Sequence, residues 1–182
     1  MNKQLMYFLA LSFFLVFSLS SCDKHGENEE ELITTLTYKL TPATSGNAVT
    51  LIFKDTDGPG GNVPVLSVSP LKANTVYNGE LTLSNESVSP AEDITAEVKA
   101  EGKEHQIFYQ SSLVKVEYTD TDTDGNPLGL TTRLTTTSAG TGKLKILLRH
   151  DPKKSASGVK DGNITNAGGE TDIEVEFDIT VQ

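Results

Sequence analysis

The chain has 182 residues and carries 25 acidic against 15 basic side chains, a formal net charge of −10. That balance excludes nucleic acid and a bare anionic membrane surface as electrostatic partners. A single cysteine, Cys22, excludes an internal disulfide or a multi-cysteine metal site.

Lys3 opens the chain with positive charge, and Leu5 to Leu19 is an apolar run rich in Leu and Phe. Ser18, Ser20 and Ser21 break up its end. The run is shorter than the ~20 residues that span a bilayer, so it reads as a signal peptide and not as a membrane helix. Leu19-Ser20-Ser21-Cys22 is a lipobox, and it resembles the signal of bacterial lipoproteins. That resemblance implies cleavage of residues 1–21, a diacylglycerol on the Cys22 thiol and acylation of the new N-terminus. Two or more chains anchor stably, at ~0.8 kcal/mol per buried CH₂. With Cys22 lipidated no thiol is left for catalysis. Lys3 would leave with the leader and no acidic residue would, so the mature charge is about −11.

Residues 22–31 form an expected acidic tether. Asp23 to Glu31 has no apolar face and is dense in like charge. In Bacteroidetes-type lipoproteins an acidic stretch after the lipidated Cys resembles the signal for cell-surface display; a plain solvated spacer is the alternative.

Residues 32–182 read as one all-β domain. Hydrophobic residues recur with period two at Leu36–Leu40, Val49–Phe53, Val65–Val68, Tyr77–Leu83, Ile107–Tyr109, Val114–Tyr118, Leu130–Thr136, Leu144–Leu148 and Ile173–Val181. About nine strands with turn residues between them predict an antiparallel β-sandwich or a barrel-like relative. Ser89-Pro90-Ala91-Glu92 reads as a capping box with Pro at the first helical position, which predicts a helix over 90–101 with Ile94 and Val98 on one face.

If successive strands alternate direction, the connections sort to two ends. Residues 41–47, 70–75, 111–113 and 137–142 lie at one end. Residues 55–63, 87–104, 120–128 and 150–169 lie at the other, with the tether, the helix, His105 and His150. Residues 151–170 hold only four apolar side chains, Ala156, Val159, Ile164 and Ala167, and read as either a binding loop or a floppy connector.

Two constellations carry candidate chemistry. His105 and His150, with Glu104 and Asp151 beside them, are candidate ligands for Zn²⁺ or Cu²⁺, which favour imidazole nitrogen and accept carboxylate oxygen. The alternative is two unrelated surface histidines; His25 lies in the tether. Asp120, Asp122 and Asp124 before Gly125 resemble the first half of a calcium loop, but position twelve is Thr131 and the segment also reads as a plain hairpin turn. No nucleophile elbow, zincin motif, phosphate loop or dinucleotide fingerprint appears, so no catalytic residue is assigned and an enzyme is not expected.

The lipobox, Glu104-His105-Gln106-Ile107-Phe108-Tyr109 and the run Asn166 to Ile173 together resemble small flavobacterial outer-membrane lipoproteins. Some of that group are given a periplasmic-binding fold, which would imply alternating helices and strands; the single helix pattern here points to the all-β reading. The resemblance implies an outer-membrane location, on the periplasmic face or the cell surface. Two functions stay open: a binding protein that passes a metal ion or metal complex to a TonB-dependent outer-membrane receptor, and a structural or adhesive interaction module with no small ligand.

Overall fold

The computed structural model describes residues 31–58 and 60–182; the leader, Cys22 and His25 lie outside the described residues. No described helix is long and apolar enough to cross a membrane. The strands are β1 (Thr35–Pro42), β2 (Val49–Lys54), β3 (Val65–Val68), β4 (Val76–Ser84), β5 (His105–Ser111), β6 (Val114–Tyr118), β7 (Thr131–Thr136), β8 (Gly140–His150) and β9 (Glu170–Val181). They form two antiparallel sheets, β3-β2-β1-β4-β7-β6 and β5-β8-β9. All nine predicted strands are present, and the pairings agree with strict alternation of direction.

Period-two patterning produces the core. Tyr38, Leu40, Leu81 and Leu134 from the first sheet meet Ile107, Leu144, Ile146 and Phe177 from the second. Gly79 on β4 is required by this packing. A β-carbon there would lie 2.6 Å from the Tyr38 hydroxyl and 2.5 Å from Thr132 Oγ1, two groups that hydrogen-bond each other at 2.6 Å in the core. Both seams between the sheets are stitched by backbone bonds. Leu71 N–H donates to Thr180 at 2.8 Å and Gln182 N–H to Leu71 at 2.8 Å on one side. Ile107 N–H donates to Leu128 at 2.7 Å on the other, where the Tyr118 hydroxyl also donates to the Ile107 carbonyl at 2.8 Å. These bonds join the two sheets at both sides and make the sandwich barrel-like, while β3 remains the end strand of the larger sheet.

The helix corrects one expectation. It is α1 (Ile94–Ala100), and it begins after Pro90, at a cap provided by Asp93, whose carboxylate accepts from Ala96 N–H. Asn85 and Glu92 exchange backbone bonds and close residues 86–91 into a loop, and the Ser89–Pro90 peptide is cis. That loop geometry displaces the expected capping box. Ile94 and Val98 are buried as the spacing predicted, and the Thr95 hydroxyl accepts from Leu83 N–H at 2.8 Å and pins the helix to the end of β4.

The 151–169 connection is neither open nor structureless. It makes two single 3₁₀ turns, Val159–Asp161 and Ile164–Asn166. Val159 and Ala167, with Ala156 and Ile164 beside them, pack over Phe108 and Leu147 on the outer face of the β5-β8-β9 sheet. The four apolar side chains of the loop thus form a second small core, which buries the side of the sheet that solvent would otherwise wet.

Candidate metal centre

His105 opens β5 and His150 closes β8, and the two are direct partners in the β5–β8 ladder. Paired residues in an antiparallel sheet project to the same face. Their rings meet edge to face with centroids 4.7 Å apart, at the end of the sandwich where the chain enters β1.

The third member of the site is Asp172, which the sequence reading did not single out. The alternation Ile173, Val175, Phe177 would send Asp172 outward. The β8–β9 register instead shifts between Leu148 and Arg149: Leu148 pairs with Ile173, Arg149 with Thr171, and His150 with Glu170. Asp172 is the extra residue of a β-bulge, a feature that re-aims a side chain. Its carboxylate is turned inward, with Oδ2 3.8 Å from His105 Nε2, and the two side chains are 1% and 0% exposed. No sequence signal marks this bulge.

The chemistry of His105 follows from its surroundings. Nδ1 lies 3.3 Å from the Glu101 carbonyl, an acceptor, so Nδ1 carries the proton and Nε2 presents its lone pair. Nε2 has no hydrogen-bond partner among the described residues. Burial, and then the neighbouring His150, lower the His105 pKa, which keeps the ring neutral. Neutral imidazole with its other N–H held by a backbone carbonyl is the form that ligates metals. An imidazole nitrogen and a carboxylate oxygen at this spacing are donor types that zinc and copper accept together.

Ligand atoms of His105, His150 and Asp172 all lie within 4.8 Å of one another. Bonds of about 2.0–2.2 Å to zinc would need a small inward movement to close that set. Negative charge is gathered around it. Glu31 and Glu101 form a further set with His105 on the same scale. Burial pushes the Glu31 carboxyl up to about 7, helped by the charge of Glu97, a hydrogen bond with it, and the charges of Glu101 and Asp172. Glu104 and Asp151 form a third set with His150, so the four residues named from sequence do gather at one end, with Asp172 added beneath them.

Three loops hold this end in place through Lys154. Its buried ammonium donates to the Gly102 carbonyl, to Asp122 Oδ2 at 2.9 Å and to the Pro127 carbonyl at 3.4 Å. Asp151 N–H donates to the Glu104 carbonyl at 2.6 Å. Gly169 allows the closest approach: its φ is +71°, and a β-carbon there would lie 2.1 Å from the His150 carbonyl oxygen.

The calcium-like segment is built otherwise than its sequence suggests. Asp122 accepts from the backbone N–H groups of Asp124 and Asn126 and from Lys154. Asp120 accepts from the N–H groups of Gly129 and Thr131, and Asp124 pairs with Lys103 at 2.9 Å. The three carboxylates serve three different sets of donors and do not converge. Asp122 is held below the usual carboxylate range because Lys154 and two N–H groups outweigh the opposing effect of burial. This is a structural hairpin turn.

Comparison of the chain with family models, with curated proteins and with solved structures returns no match.

Proposed function

We propose that this chain is a lipid-anchored binding protein of the cell envelope that captures a divalent d-block cation, Zn²⁺ or Cu²⁺, at His105, His150 and Asp172. The observation that carries the reading is the buried His105 Nε2 facing the Asp172 carboxylate at 3.8 Å with the His150 ring beside it. Two imidazoles and a carboxylate are a ligand set that zinc and copper share, whereas Ca²⁺ and Mg²⁺ prefer oxygen alone. The lipobox supports the anchor at Cys22 and an outer-membrane location. A cation held at the end where the tether joins the body suits transfer to a TonB-dependent receptor in the same membrane.

The test is titration of the full chain with Zn²⁺, Cu²⁺ and Ca²⁺, beside the His105→Ala/His150→Ala double variant. One equivalent of Zn²⁺ or Cu²⁺ bound at about micromolar Kd or tighter, and lost in the double variant, supports the reading. Absence of binding, or binding unchanged by the two substitutions, overturns it.

One observation favours a second reading, an interaction module without a small ligand. The short edge strand β3 and its approach leave Val63, Val65 and Leu66 exposed, at 88%, 65% and 49%. An exposed apolar edge is a surface on which another chain can add a strand.

A further inference from the structure

His150 belongs to two cation-sized clusters at once. In one set a ring nitrogen of His150 lies with His105 and Asp172, and the His150 Nδ1 is buried without a hydrogen-bond partner among the described residues. On the outer side its Nε2 lies 3.9 Å from Asp151 Oδ2, and Glu104 completes a set whose ligand atoms lie within 4.8 Å of one another. The two sides differ in access. The Asp151 side chain is 60% exposed and that of His150 12%, while Asp172 is 1% exposed.

We propose that Glu104, His150 and Asp151 form an outer loading position for the same divalent cation, and that His150 passes it to the inner position at His105 and Asp172. The inference rests on the proposed function and gives its site a route. The outer set suits a cation that keeps part of its water shell, because two solvated carboxylates attract it without demanding full dehydration. The inner set is dry and requires the remaining water to leave. Transfer is an exchange of ligands: the metal gives up Glu104, Asp151 and water and gains His105 Nε2 and Asp172. Where the bond to His150 moves between ring nitrogens, the proton released by one is taken by the other, so charge balances.

The experiment compares the full chain with the Glu104→Gln/Asp151→Asn variant. Both substitutions are exposed, and Asn accepts the positive φ of 50° found at Asp151. Co²⁺, a coloured stand-in for Zn²⁺, is mixed by stopped flow, and release is followed with excess EDTA. Loading and release are expected to slow together, by about tenfold or more, because a transit position lies on the path in both directions. Unchanged rates would overturn the proposal. So would slower loading matched by weaker affinity with release unaltered, since that is surface attraction alone. Absence of Co²⁺ binding by the unsubstituted chain would instead overturn the metal reading, and the loading position with it.

Discussion

The carboxylate of Asp172 and the imidazole of His105 face each other at 3.8 Å, buried at the end of the sandwich, on strands that do not pair with each other. Strand β8 lies between them and contributes His150. Three neighbouring strands thus each supply one side chain of the cluster, two by ladder register and one by a bulge.

The bulge makes a first prediction. Asp172→Ala removes the inner carboxylate without altering either histidine, and is expected to weaken Zn²⁺ binding by more than the 10- to 100-fold that is about the cost of losing an outer-shell partner. Calorimetric titration of the variant with Zn²⁺ checks this.

Lys154 and Asp122 form the buried ion pair that ties the loops beneath the site. Lys154→Met leaves Asp122 without its ammonium and is expected to cost about 3–5 kcal/mol at neutral pH by chemical denaturation. The pH dependence has a fixed sign. Asp122 titrates below its ordinary 3.8 in the folded chain, so its contribution is present above that value and is lost as the pH falls through it and below. Asp122→Asn should therefore be less stable than the parent at pH 7, and the two stability curves should converge in strong acid.

Gly79 makes a prediction about the body of the fold, away from the site. Gly79→Ala places a methyl against the Tyr38–Thr132 hydrogen bond, within 2.6 Å of both oxygens. Overpacking of this kind is expected to cost about 1–3 kcal/mol. Denaturant melts should show the loss, while Zn²⁺ affinity in the folded protein stays at the parent value.

The strands were legible in the sequence because a half-buried sheet writes a period of two, and runs such as Ile173 to Val181 carry little else. Alternation of direction was enough to bring His105 and His150 to one end, although not to show that they are ladder partners. What the sequence concealed was conformational. Asp172 looked like an outward residue because an alternating pattern carries no mark of an inserted bulge. The helix start looked like Ser89-Pro90 because a local cap motif competes with a loop closed by Asn85 and Glu92, and the tertiary closure won. Asp120, Asp122 and Asp124 looked like one cluster because spacing does not reveal which donors each carboxylate meets. In the 151–169 loop the four apolar residues were visible, but the sheet face they cover was not.

The central claim, that His105 and His150 hold one cation together, is tested most directly by electron paramagnetic resonance of the full chain loaded with one equivalent of Cu²⁺. His25→Ala removes the only other histidine. The account predicts a single copper species whose electron spin-echo modulation counts two imidazoles, falling to one in His105→Ala and in His150→Ala. Copper that does not bind stoichiometrically, or a signal with fewer than two imidazoles in the presence of both histidines, would contradict it.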